Sequence, residues 1–237
     1  MAKAHQTWKV LRHGPIERVE SNLWCVTGSL PGMALKRVMT VIRLDDGRLV
    51  IHSAIALNEE AMAEIEAWGQ PAVLLVPNFF HRLDAPAYLA RYPDIKVYCP
   101  RGGRKKVEEV ISADGTFEEM VETPGLTFEY LEGIGKGEAV FSVTSPSGTT
   151  LIINDAIFNM PHARGVAGFI FRYLTKSTGG PRVTRIFKFF GIKDREAFRA
   201  ELERLAGTPD LKRIIVSHHE MITDDPAGAL RQAAATV

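Results

Sequence analysis

Cysteine is scarce in this chain. Cys25 and Cys99 are far apart and form no C-x-x-C pair. That count excludes a disulfide scaffold and a cysteine-rich zinc knuckle. Each sits among apolar neighbours, Leu23-Trp24-Cys25-Val26 and Val97-Tyr98-Cys99-Pro100, so both read as buried, reduced thiols. An excess of one charge is missing too. Lys and Arg number 29 against 28 Asp and Glu, a formal net charge of +1. Bulk charge therefore gives no argument for nucleic acid or an anionic membrane as partner. No stretch approaches the roughly 20 apolar residues of a membrane span, and the first ten residues hold no apolar run of signal-peptide length. The expectation is a cytoplasmic protein. G-x-x-x-x-G-K-[ST], a G-x-G-x-x-G following a strand and G-x-S-x-G are absent as well. Gly102-Gly103 and Gly179-Gly180 are too short to cradle a phosphate.

What is present suits a globular protein with a real core: 46% hydrophobic and 24% charged residues in a chain of 237. The early part is strand-like. Asn22–Val26, Val38–Ile42 and Leu49–His52 are short apolar runs, and Asp45-Asp46-Gly47 marks a hairpin turn between the last two. The period then changes. Asn58 caps a predicted helix whose apolar face is Met62, Ile65 and Trp68, with Gly69 as its C-cap. Ala72–Val76 is a continuous apolar run, as in a strand covered on both faces. Asp84-Ala85-Pro86 opens a second helix through about Tyr92, and Ile95–Cys99 is a further strand. This alternation predicts α/β layering.

A surface helix is expected over about 103–111, and strands return at Leu126. Ala139–Thr144 and Thr149–Ile153 flank the turn residues Ser145-Pro146-Ser147-Gly148. Asp194 caps an amphipathic helix with Phe198, Leu202 and Leu205 on one face and Gly207 beyond it. Arg213–Val216 is the last buried strand, and Asp225-Pro226 opens a C-terminal helix. Two meander-plus-helix halves of this kind can stack sheet on sheet with helices outside. Within the second half, residues 169–190 interleave aromatic and basic side chains. The expected arrangement is two helices packed on the core with the basic residues outward. The alternatives are a lid, a partner surface or a membrane interface.

In layered α/β proteins chemistry collects in loops that leave strand ends. Three such ends carry metal-capable or proton-transferring residues: Asn78 and His81 after Val76, Asp155 after Ile153, and His218 and His219 after Val216. Convergence of the three on one edge is an expectation from the fold, not from spacing. One of His218 and His219 should face that edge, and the other should pack or meet solvent. His52, at a strand end, reads as structural. Asn78 reads as a loop-holding amide that bonds both donors and acceptors.

These segments, in order, resemble the metallo-β-lactamase superfamily over roughly residues 15 to 230. The likeness rests on the meander, the strand ending at residue 77, the Gly133-Ile134-Gly135-Lys136-Gly137 turn, Leu151–Asp155 and Ile214–His218. Pro77-Asn78-x-x-His81, Leu49–Ser53 and Ile153–Asn159 resemble a poorly characterised branch of it, with Pro-Asn-x-x-His where active members carry H-x-H-x-D-H. The resemblance implies a four-layer αββα sandwich formed as one domain over residues 1–237. It matches Asp155 to the aspartate that bridges two metals, and His218 to the last histidine ligand. Asn78 and Phe80 stand where the first histidine pair belongs, Arg82 and Leu83 where the following aspartate and histidine belong, and Gly135-Lys136 near the middle histidine. His81 is out of phase.

Zinc needs about three or four N, S or O ligands, so a metal pair is not expected. Phe80 and Leu83 cannot bind a cation, and Lys136 or Arg82 would repel one. The cofactor expectation is none, or a single zinc or other divalent ion on His81, Asp155 and His218 or His219, with Asn78, His52 and Lys136 as supporting residues. Two functions follow as expectations. The first is a non-catalytic or altered-function protein that binds a small molecule or a protein partner. The second is a single-metal hydrolase of esters, lactones or phosphoesters.

Overall fold

In a computed structural model, residues 3–121, 123–162 and 164–237 are described. The chain divides into two compact units, 1–127 and 128–237.

Unit 1 is built on a seven-stranded sheet whose spatial order follows the sequence: β1 (Glu17–Glu20), β2 (Leu23–Leu30), β3 (Met33–Arg43), β4 (Arg48–His52), β5 (Gln70–Leu75), β6 (Lys96–Cys99) and β7 (Gly115–Thr116). Neighbours from β1 to β4 are antiparallel, and those from β4 to β7 are parallel. The switch follows from the connections. Short turns, with Gly32 and Gly47 at positive φ, make antiparallel neighbours. Parallel neighbours need crossovers, here α1 (Glu59–Trp68), α2 (Ala85–Arg91) and α3 (Arg104–Val107). Asn58 caps α1 by accepting from the Ala61 N–H at 2.9 Å. Gly69 is the C-cap of α1 as predicted, its N–H donating to Ile65 O at 3.1 Å. Its backbone is extended, and a Cβ there would lie 2.4 Å from the Gly47 carbonyl oxygen. Close approach, not torsion, requires glycine. Met62 and Ile65 enter a core with Val41, Leu49, Ile51, Leu74 and Val97, and Trp68 stacks on Trp24 at 3.8 Å. The helix predicted over 103–111 is shorter, with α3 ending at Val107 and turns following.

Asp84 precedes α2 as predicted but does not cap it with its side chain. The carboxylate is fully buried. It accepts from Arg37 Nη2 at 2.6 Å and from the Ala56 N–H at 3.1 Å, and it meets His5 Nδ1 at 2.6 Å. An ionised carboxylate only accepts, so His5 donates. Both cysteines are buried, and neither is in a disulfide. Burial pushes the Cys99 thiol up to about 11, far from a reactive thiolate.

Unit 2 is built on a four-stranded sheet in the order β13 (Leu211–Val216), β10 (Gly148–Ile153), β9 (Ala139–Ser145) and β8 (Leu126–Tyr130), the last beginning two residues before the unit's first residue. The hairpin β9–β10 is antiparallel, and β10 runs parallel to β13. Two helices cover the sheet. Asp194 caps α6 (Arg195–Leu205) through the Ala197 N–H, and Asp225 caps α7 (Pro226–Ala235) through the Gly228 N–H. Phe198, Leu202, Leu230 and Ala233 pack with Val140, Leu151, Ile153, Ile214 and Val216. Each fully buried Phe or Leu of this set contributes about 1.5–3 kcal/mol. The Gly133 turn docks on the start of α6, where its carbonyl accepts from Lys193 N and Asp194 N at 2.8 and 2.9 Å.

The remainder of unit 2 is a small antiparallel pair, β11 (Phe158–Met160) with β12 (Gly180–Arg182), and the short helices α4 (Gly165–Phe169) and α5 (Arg185–Phe190). A π-helical turn, Ile170–Leu174, continues α4. Here the expected core packing is overturned. Among the described residues, twelve large hydrophobic side chains are exposed, and eight of them lie between Val166 and Phe190. Phe187 packs on the core and Val183 is buried within it. The helices are too short, and their apolar residues too many, for one buried face to take them all.

Candidate functional site

In unit 2 strand register assembles a row of polar residues. The β10–β13 ladder pairs Ile153 with Val216, and β9–β10 pairs Ile152 with Phe141. Continued beyond the strand ends, the two registers set Glu138, Asp155 and His218 abreast. The backbone follows that continuation, since Ser217 N donates to Ile153 O at 3.2 Å. Asp155 Oδ1 lies 3.0 Å from His218 Nε2, with both side chains largely buried. The Phe158 ring stacks on the imidazole at 4.7 Å between centroids. One residue back, Ser217 Oγ bonds Asn154 Oδ1. A second contact across the same two strands locks their ends.

Glu138 escapes the sequence reading. It is buried and accepts from the Ala156 N–H through Oε1 at 2.7 Å. Burial, and then the charge of Asp155, push its carboxyl well above the usual range. The signal that could have found it is its place: an acid between a glycine-rich turn and an apolar strand, opposite Asp155 in the hairpin register. His219, by contrast, is half-buried on a left-handed backbone, φ 70°. Asn159 supports that turn, as its side-chain amide donates to Glu220 O at 3.0 Å. Lys136 is exposed on the Gly133–Gly137 turn, its Nζ 5.9 Å from the Tyr130 ring centre.

In unit 1 the loop after β5 holds itself together. Asn78 is buried, and its Oδ1 accepts from the Phe80 N–H at 2.8 Å, an Asx turn that mimics a backbone turn. Its own carbonyl accepts from the His81 N–H at 3.2 Å. His81 is half-buried, with Nδ1 2.9 Å from the hydroxyl of Ser53, itself at φ 58°. The neighbouring His52 is fully buried. Burial first, and the charge of His81 second, pull it down to about 3, so at neutral pH it is the uncharged imidazole. Phe80 is exposed, Arg82 half-buried and paired with Glu109, and Leu83 buried.

The donor set is therefore sparse. Unit 2 offers Asp155 and His218 as ordinary metal ligands, and unit 1 offers His81. Asn78 turns its amide oxygen onto its own loop, where it accepts from the Phe80 N–H. The Asp155–His218 pair can bind a polar group, hold a proton at Nε2, or accept a cation.

No known family profile and no curated protein sequence matches the chain. Solved structures do. A crystal structure of the DIM-1 metallo-β-lactamase is similar at a TM-score of 0.64 and 14% identity, covering 96% of this chain and 98% of that one. The same enzyme exposed to ceftazidime gives 0.61 at 14% identity, with the same coverage. A metallo-β-lactamase from Pontibacter korlensis gives 0.62 at 13% identity over 94% of this chain and 99% of that one. At such identities the likeness is one of fold.

Proposed function

We propose, from the metallo-β-lactamase fold that this chain carries, that it binds a small molecule or a protein partner at the strand ends bearing Asp155 and His218, with no two-metal hydrolytic centre. A zinc pair does not fit the residues present. Each ion needs about three or four N, S or O donors. The loop after β5 supplies Asn78, Phe80, Arg82 and Leu83 where a full donor set would stand, and the glycine-rich turn supplies Lys136. The observation that carries the reading is Asn78. Its carbonyl oxygen, the one donor among those four side chains that a cation would take, closes an Asx turn onto Phe80. For a polar ligand, Asp155 offers acceptors and His218 a donor or acceptor, with the Phe158 ring as an apolar wall.

One observation favours a second reading, a single divalent ion with His81, Asp155 and His218 as its ligands. The Ser53 hydroxyl on His81 Nδ1 is the kind of contact that orients a metal-ligating imidazole through its other nitrogen. Such an ion, when bound, would supply hydroxide at neutral pH for ester, lactone or phosphoester hydrolysis.

Metal content separates the two. Untagged protein purified without added metal is expected to hold substoichiometric zinc, manganese and iron by mass spectrometry, and to melt at the same temperature with and without chelator. Two equivalents of metal would refute the proposal. A single equivalent, lost on His81→Ala or His218→Ala, would establish the second reading in its place.

A further inference from the structure

The segment from Val166 to Phe190 in unit 2 has no part in the site above. Its exposed apolar side chains fall in two groups. Val166, Phe169, Ile170, Tyr173 and Leu174 come from α4 and the π-helical turn, and Ile186, Phe189 and Phe190 from α5. Phe189 and Phe190 are 79% and 83% exposed, and Val166 is 79% exposed. The two pieces are tied together at their bases. Arg185 N, at the start of α5, donates to Thr175 O, just after the π-helical turn, at 2.9 Å. Eight exposed apolar side chains within residues 166–190 are far more than the scattered singles of an ordinary surface.

Charge decides what covers them. Between residues 161 and 193 there are seven Lys and Arg and no Asp or Glu, in a chain whose total charge is +1. Arg172 and Arg185 are exposed among the apolar groups, and the Arg172 guanidinium lies 5.4 Å from the centre of the Tyr173 ring. Lys188 is pulled down by burial and by the surrounding Arg195, Lys176, Arg182 and Arg185. The cations therefore cluster. A second copy of this face would set like charges against like. A single-stranded nucleic acid would use the aromatic rings for stacking, but it would leave Val166, Ile170, Leu174 and Ile186 without an apolar environment. A lipid bilayer with anionic headgroups accommodates both classes: hydrocarbon for the aliphatic and Phe side chains, the headgroup level for Tyr, and phosphate for Arg and Lys. No helix among the described residues is long and apolar enough to cross a membrane, so attachment would be peripheral.

We propose that residues 166–190 dock this protein onto an anionic bilayer surface, with Phe189, Phe190 and the α4 apolar cluster inserted and the interleaved arginines on the headgroups. The test is co-sedimentation of the full chain with phosphatidylcholine vesicles, with and without phosphatidylglycerol. Binding is expected to the mixed vesicles, weakening as salt screens the headgroups, and to be far weaker to phosphatidylcholine alone. Phe189→Ser with Phe190→Ser is expected to lower the partition coefficient on the order of a hundredfold. Because both rings are exposed, the melting temperature should hold. Arg172→Glu with Arg185→Glu, a separate variant, should remove the preference for the anionic lipid. The proposal is overturned by absence of binding to the mixed vesicles, or by equal binding of the double serine variant. It is equally overturned if a single-stranded oligonucleotide binds the same face and strips the protein from vesicles, or if the face instead drives self-association that the double serine variant abolishes.

Discussion

Replacing Asp84 by alanine tests whether unit 1 depends on a charge hidden inside it. The carboxylate is fully buried and meets Arg37 Nη2, His5 Nδ1 and the Ala56 N–H. Arg37 is itself buried, with Nε donating to Ser29 O at 3.2 Å and Nη1 to Ala54 O at 3.4 Å. Removing Asp84 strands that guanidinium. Breaking a buried pair from one side costs about 3–5 kcal/mol, and the orphaned Ala56 N–H adds about 1 kcal/mol. In a chain of this size each kcal/mol lowers the melting point by about 2–4 °C, so Asp84→Ala should melt on the order of 15 °C lower. Thermal and urea unfolding followed by circular dichroism measure this. Arg37→Met added to Asp84→Ala removes the stranded charge and should cost much less than the sum of the single variants. A loss below about 1 kcal/mol for Asp84→Ala, or strict additivity in the cycle, would show that the pair does not hold β3 to the loop before α2.

His52 gives a pH signature. Its folded value is drawn down to about 3 from an ordinary 6.5. The unfolded chain therefore binds the extra proton first, and the stability owed to the neutral ring is complete above about pH 6.5. It is lost as pH falls toward 3, with a slope of at most about 1.4 kcal/mol per pH unit. Urea titrations across that range should show the slope and its reduction in His52→Gln; an unchanged slope would rule out His52 as the source. Gly133 sits at φ 79°, and a Cβ there would lie 2.4 Å from Asp194 O. Gly133→Ala should cost at least about 2 kcal/mol through strain and displacement of the α6 start, and a melting temperature within 1–2 °C of the parent, about half a kcal/mol, would contradict that geometry.

Periodic elements were legible in the sequence because their signals are local. Asn58, Asp194 and Asp225 cap helices where their side chains can reach N–H groups three residues on. The apolar runs at 72–76, 139–144, 149–153 and 213–216 became strands because only a sheet buries such short stretches on both sides. Long-range polar pairing was not legible. Nothing near Asp84 in sequence announces Arg37 or His5, which lie 47 and 79 residues away, so an Asp before a helix reads as a cap. Glu138 was missed for a related reason: its environment comes from the hairpin register and from Asp155, not from its neighbours in sequence. The 166–190 segment misled in the other direction. An apolar, aromatic run looks the same whether it fills a core or faces outward, and only its surplus of cations without a single acid hinted at the outcome.

The row of Glu138, Asp155 and His218 is aligned by ladder pairing, so its geometry is hostage to the length of one tight connection. A residue added to or removed from Ser145–Gly148 would slide β9 by a step, carry Glu138 out of line and leave its carboxyl without the Ala156 N–H. Asp155 and His218, joined through the other ladder, would keep their contact. The imidazole and carboxylate are thus a fixed property of the sheet, whereas the acid beside them is a tunable neighbour whose presence is decided in a turn that begins seven residues further on.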